Sequence, residues 1–330
     1  MLQTMRFVFI AALGGLLAAT AAVSSTWAQT YPTRPITMIV PYPAGGPTDT
    51  IARVMAERMR AILGQSVVVE NVTGAGGSIG TGRVAQAAPD GYTIGLGHNQ
   101  THVLNGATLT LSYDVLKDFE PVSLIADTPI WIVAKKALPA NNFQEYIAWL
   151  KQLDGKANAG QVGTAGPADV AVAAFQKQTD TKFQSAVYRG GAPVLQDLLA
   201  GHIDFTFGQA ATYLNYVRNG QLKAYAVLTE KRWWAAPEVP TLDELGVPGI
   251  HAGFWHGMWV PKGTPPEIVA KLNAVVVETL GDATVKQRLT DVGQDIVPRE
   301  QQNPTALGTK QKAEIEKWWP IVKAAGIKGQ

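Results

Sequence analysis

The sequence predicts an α/β protein of two lobes joined by two crossing segments, a clamshell. Three observations predict it. Short apolar or β-branched runs alternate with helix-patterned stretches along most of the chain, the rhythm of a sheet with helices on its faces. That rhythm changes at Asp127–Pro129, where two strand-like runs, "VSLIA" and "IWIVAK", flank the tripeptide. It breaks again at the proline-rich "EKRWWAAPEVPTLDELGVPGI", after which "FWHGMWVPKG" reads as a strand rejoining the first lobe. The expected lobes are residues 29–127 with 236–330, and residues 128–235.

The elements follow in order. "PITMIVPY" is a short apolar run bounded by prolines, a buried strand. "TDTIARVMAERMRAILG" places Ile51, Val54, Met55, Met59 and Ile62 at helical spacing and stops at Gly64. "SVVVEN" is a β-branched strand, "GAGGSIGTGRVAQAAPDG" a glycine loop opening a short helix, and "YTIGLG" a strand. In the second lobe, "NNFQEYIAWLKQ", "ADVAVAAFQKQT", "GAPVLQDLLAGH" and "ATYLNYVRNG" read as helices. They alternate with strands at "QVGTAG", "FQSAVY", "IDFTFG" and "LKAYAVLT". The C-terminus is helical from "PPEIVAKLNAVVVETLG" onward. The alternation argues for parallel pairing within each lobe.

The first 28 residues are set apart. Arg6 is the only charge before Arg34, "FVFIAALGGLLAATAAV" follows it, and Thr26 and Ala28 supply small residues. This is a secretory signal pattern with cleavage expected after Ala28. There is no cysteine, which excludes lipid attachment through a thiol, disulfides and thiolate metal sites. The formal charge is +2, and +1 without Arg6; no basic block marks a nucleic-acid partner. No metal or cofactor motif stands out. His98 and His102 are four apart with no evident third ligand.

Function resides in three loops that each follow a strand and open a helix: "PYPAGGPTD", "VGTAGPAD" and "VYRGGAP". Helix N-termini attract anions through unpaired N–H groups and the helix dipole. In the first loop the N–H groups of Gly45, Gly46, Thr48 and Asp49 are the candidate donors; Pro47 has none and suits the first helical position. Such ligands sit beyond the carboxyl ends of strands, so loops from two lobes face each other across a cleft. Among the aromatic residues, Trp131, Phe207 and Trp255 fall at or near the expected cleft edge. One enzyme motif competes: "GGSIG", Gly76 to Gly80, matches the nucleophile elbow of a serine hydrolase centred on Ser78, although "VTGAG" separates it from the strand.

Taken together, "YPTRPITMIVPYPAGGPTDTIAR", "VVVENVTGAGGSIGTGRVAQAAPDGYTIGLG", "YRGGAPVLQDLLAGHIDFTFG" and "VPKGTPPEIVAKLNA", with shorter motifs between them, resemble the Bug (TctC-like) family. These are periplasmic solute-binding proteins of tripartite tricarboxylate transporters. The resemblance implies a type II periplasmic-binding fold and capture of a small carboxylate without catalysis. It also implies delivery to the membrane permease subunits, or, in some relatives, docking on a sensor receptor. It implies a site made of Tyr42, Pro43, Ala44, Gly45, Gly46, Thr48 and Asp49 from the first loop, and Gly163, Thr164, Ala165 and Asp169 from the second. Arg189, Gly190, Phe207 and Gln209 complete the candidate set. No cofactor is implied, and the expected state is a monomer. The chain departs from the family where serines are usual in the second loop. Pro167, Ala168 and Val170 stand there, and Arg189 stands where lysine is common. The ligand expected is therefore an aromatic or medium-chain mono- or dicarboxylate in preference to citrate.

Overall fold

The computed structural model describes residues 31–162, 166–324 and 326. The signal segment and its cleavage point lie outside the described residues. Arg34–Gln330 form a compact unit of their own. Among the described residues no helix is long and apolar enough to cross a membrane.

The first lobe starts with β1 (Ile36–Val40), α1 (Pro47–Leu63), β2 (Val67–Asn71), α2 (Ser78–Ala85) and β3 (Thr93–His98). β1 lies between β2 and β3, parallel to both. α1 buries Ile51, Val54, Met55 and Met59, spaced for one helical face, and closes at Gly64 in the left-handed region. A π-helical turn, Gln100–Leu104, and a short α3 (Asn105–Thr108) follow β3. The strand pattern had not suggested either.

Instead of two runs parted by a turn, there is one long strand, β4 (Phe119–Lys135). Its first part, Phe119–Pro129, pairs antiparallel with β9 (Gly253–Pro261). Its last part, Ile130–Lys135, pairs antiparallel with β7 (Phe205–Gln209) and β8 (Leu222–Val227). One continuous backbone therefore serves both lobes. β9 also pairs antiparallel with β3, so the sheets are mixed, with antiparallel strands only where the chain crosses.

The second lobe holds α4 (Phe143–Leu153), β5 (Asn158–Val162), α5 (Pro167–Thr179), β6 (Gln184–Tyr188), α6 (Gly191–Ala200) and α7 (Ala210–Arg218). β5 runs parallel to both β6 and β7. Leu242, Val247 and Ile250 pack with Tyr146, Phe175 and Phe205 in the core of this lobe. The expected boundary at residue 236 thus falls inside a return path whose apolar side chains are buried on the second lobe. Within β9, Phe254 joins this core while Trp255 joins the core of the first lobe, as alternate faces of a strand require.

The chain ends with α8 (Pro266–Gly281), α9 (Ala283–Asp291), a two-residue β10 (Asp295–Ile296) on β4, and α10 (Pro304–Ala324). Trp319 of α10 donates to the Val103 carbonyl at 2.9 Å, which ties the helix to the turn after β3. Trp259 is the centre of the first core. It is fully buried, stacks on His102 at 3.6 Å, and its indole N–H donates to Gln311 at 3.2 Å. Trp259→Ala is expected to cost about 3–5 kcal/mol, as for other buried large-to-small changes. Denaturant unfolding checks this; a loss below 1 kcal/mol contradicts the packing role.

Candidate functional site

The first loop is closed on itself by a carboxylate. The Gly45 N–H donates to Asp49 Oδ2 at 2.8 Å, and Arg53 Nε donates to the same oxygen at 2.8 Å. Asn71 Nδ2 donates to Asp49 Oδ1 and to the Tyr42 carbonyl, both at 2.9 Å. Burial works against the Asp49 charge. The hydrogen bonds from Arg53, Gly45 and Asn71 outweigh it and hold its carboxyl below the ordinary value. Asp49 is thus an ionised clasp, and the Gly45 N–H is already used. Gly45, with φ of +81°, is the residue of this loop that needs glycine; Gly46 is extended, and its N–H donates to Pro43 at 3.4 Å. The amides of Thr48 and Asp49, in the first turn of α1, remain without intrahelical partners.

The second lobe repeats the device. Gly166 precedes Pro167 at the start of α5, and the Asp169 carboxylate accepts the Gly166 N–H. Both loops read G-P-x-D: Gly46-Pro47-Thr48-Asp49 and Gly166-Pro167-Ala168-Asp169. Gly163, Thr164 and Ala165 lie outside the described residues. Asp169, like Asp49, holds its loop rather than pointing at a ligand.

The third loop comes within contact of the first. A Cβ on Gly190 would stand 2.8 Å from the Pro43 side chain, and one on Gly191 3.1 Å from Thr212 Oγ1. The absence of a side chain at Gly190 lets the two lobes meet at Pro43, while Gly191 lets α6 approach α7 within the second lobe. Between the lobes lies a cavity of about 40 Å³ lined by Tyr42, Pro43, Gly46, Thr48, Phe207 and Gln209 from the expected set. Ala44 is exposed beside it. Arg189 and Tyr42 line an adjoining chamber of about 160 Å³.

Several lining residues were not expected: His98, Gln100, Ala192, Thr212, Tyr213 and Phe254. Gln100 is almost fully buried, and among the described residues its side-chain N–H₂ has no partner; the Gln209 amide nitrogen is likewise buried and without a partner among them. His98 stacks on Tyr42 at 4.5 Å and meets His256 and Phe254 edge-on. His256 Nε2 lies 3.2 Å from Thr48 Oγ1. Burial, then the neighbouring His256 and His102, push His98 well below its ordinary value; burial pushes His102 and His256 down to about 3. The floor of the site is therefore neutral.

Two aromatic candidates fall elsewhere. Trp131 is fully buried in the second lobe against Trp233, and Trp255 packs in the first core. Val170 also packs against that core instead of lining the cavity. Trp255 borders a larger open cleft of about 670 Å³ beyond Phe254 and Pro167, which neither the Gly45–Gly46 nor the Gly190–Gly191 pair lines. Ser78 is the first residue of α2 and follows a 3₁₀ turn, Ala75–Gly77, not a strand.

Two lobes, crossing strands and a cavity at the facing helix N-termini define a type II periplasmic-binding fold. Residues 51–327 match the family described as tripartite tricarboxylate transporter family receptor, and the chain belongs to that family. It is 38% identical to the periplasmic binding protein BugD, with a TM-score of 0.85 over 91% of this chain and 100% of that one. MatC from Rhodopseudomonas palustris, solved with bound malate, is 35% identical with a TM-score of 0.83, covering 88% of this chain and 100% of that one. A second R. palustris protein, solved with adipate, is 32% identical with a TM-score of 0.85, covering 90% and 99%.

The buried histidines give the fold a pH dependence with a definite sign. Their folded values lie below the ordinary 6.5, so the unfolded chain binds protons that the folded chain refuses. Stability is expected to fall as pH drops below about 6.5, by up to about 1.4 kcal/mol per pH unit for each histidine. The Asp49 contribution is lost only below about 3.8, outside this window. Denaturant midpoints at pH 7.5 and 5.5 check this; equal midpoints contradict it.

Proposed function

We propose that this receptor captures a small carboxylate between its lobes in the periplasm, after removal of the signal ending at Ala28. It then presents the ligand to the permease subunits of a tripartite tricarboxylate-type transporter. The observation that carries the proposal is the pair of G-P-x-D loops. Each fixes a helix N-terminus with its own acidic residue, one on each side of a cavity bordered by the Gln100 and Gln209 amides. Amide donors and helix dipoles stabilise an anion without a fixed positive charge. The malate and adipate in the related structures are small dicarboxylates, in line with this chemistry.

The wall argues for a ligand less polar than citrate. Pro43, Pro167, Ala168, Phe207 and Phe254 all border the cavity. Where family hydroxyls are usual, this chain presents carbon, and burying a polar group without a partner costs roughly 1–3 kcal/mol. An aromatic or medium-chain mono- or dicarboxylate is the favoured class. A volume of about 40 Å³ is far below the roughly 300–1,000 Å³ of ligand clefts, so the lobes part to admit any such ligand. The same capture serves a sensing role if the closed form docks on a receptor domain instead of a permease.

Melting-temperature shifts with citrate, glutamate, adipate, benzoate and terephthalate at equal concentration test the class. A ligand at 100 times its Kd adds about 2.7 kcal/mol. The largest shift is expected from adipate or an aromatic acid; the largest shift from citrate or glutamate contradicts the apolar-wall reading. Gly190→Val places a branched side chain against Pro43 and is expected to weaken ligand binding at least tenfold (about 1.4 kcal/mol) in a protein that still folds. Unchanged affinity by calorimetry contradicts lobe closure at this point.

A further inference from the structure

We infer that the open cleft of about 670 Å³ beside the crossing strands is a second binding site, separate from the loop cavity, and that it takes an organic ammonium ion. This does not depend on carboxylate capture. No residue of the loops 42–49 and 189–191 borders the cleft, and Phe254 and Pro167 stand between it and the loop cavity.

Strand register builds an acidic row. Asp295 of β10 lies opposite Asp127 of β4, and Asp127 lies opposite Trp255 of β9. Directly opposed residues share a face of the sheet, so two carboxylates and an indole stand side by side. α10 packs on β4 and brings Lys310, Glu314, Lys317 and Trp318, spaced for one helical face, to the same cleft. Lys310 Nζ lies 3.6 Å from Asp127 Oδ1 and 5.8 Å from the centre of the Trp255 ring. Lys317 Nζ lies 4.6 Å over the Trp318 ring. The cleft therefore already holds ammonium groups against indole faces and carboxylates.

The charges at its inner end do not balance. Asp127, Asp295 and Glu314 share one ammonium, that of Lys310. Partial burial raises the Asp127 carboxyl above its ordinary value; Lys310 works against the rise, and Asp295 and Glu314 add to it. Asp295 is exposed, accepts from the Trp234 indole and forms no ion pair among the described residues. Like charges directly opposite on neighbouring strands repel, and a second cation removes that repulsion. Of the other cations at the cleft, Arg232 is held by both oxygens of Glu244, and Lys231 is exposed on the return path.

Buried side chains independently point to a ligand. Asn99 Oδ1 and Thr128 Oγ1 border the cleft, are 3% and 2% exposed as residues, and have no partner among the described residues. Both accept hydrogen bonds, as an ammonium requires. The indole N–H groups of Trp233 and Trp255 are unpartnered as well, so a hydroxyl on the ligand adds to the fit but does not replace the ammonium. Trp234, 45% exposed at the rim, offers its ring to the carbon frame. The volume falls within the roughly 300–1,000 Å³ usual for ligand clefts.

Calorimetry on the mature chain tests this with butylammonium, hexylammonium and phenethylammonium, each against the alcohol of the same carbon frame. The best ammonium is expected to bind at least about tenfold tighter than its alcohol. Asp295→Asn is expected to weaken it about five- to tenfold, and Lys310→Met, which removes the resident cation, to tighten it about twofold or more. Excess adipate is expected to leave the ammonium affinity unchanged. Ammonium ions that bind no tighter than their alcohols overturn the site, as does an affinity untouched by Asp295→Asn or weakened by Lys310→Met. Competition by adipate places the amine in the loop cavity and also overturns it.

Discussion

The site depends on one clasp, the Asp49 carboxylate taking the Gly45 N–H while Arg53 and Asn71 hold its two oxygens. The three prolines of this loop fix φ at their own positions, but its two glycines leave the path between them free, and ordering each backbone residue costs roughly 1–2 kcal/mol. The clasp fixes the loop within the lobe, before any ligand is present. That is preorganisation, and it lowers the entropy cost of binding. Arg53 neutralises Asp49, so the carboxylate that orders the loop does not repel an incoming anion. Asp169 performs the same task for the opposite loop.

The rest of the site follows from keeping its inner surface uncharged. His98, His102 and His256 are buried and stay neutral, and Thr48 is tied to His256 beneath the helix N-terminus. On the function proposed above, the charge of a bound anion would meet amides and helix dipoles in a closed, low-dielectric space, where each donor counts for more than in water. The lobes meet at Gly190, which has no side chain to place against Pro43.

Much of this was legible in the sequence. The order of strands and helices held, because β-branched runs and 3.6-residue periodicity report burial directly. The loops were found because proline and glycine punctuate them. The long strand β4 was read as two because Asp-Thr-Pro resembles a turn. In the structure Asp127, Thr128 and Pro129 continue the ladder with β9. Gln100 was missed because it opens a π-helical turn, Gln100–Leu104, a feature that local pattern does not reveal, and His98, the last residue of β3, was weighed only as a metal ligand. Trp131 and Trp255 were placed near the cleft edge because their strands end near it. Strand alternation turns Trp131 into the second core and Trp255 into the first.

The central claim is that a ligand bridges two lobes and holds them shut. Small-angle scattering of the mature protein, with and without saturating adipate, tests it most directly. The account predicts a smaller radius of gyration with ligand, and a radius unchanged by the acid when Gly190 is replaced by valine. Saturating, tight adipate binding with the same radius in the free and bound wild-type protein would contradict it.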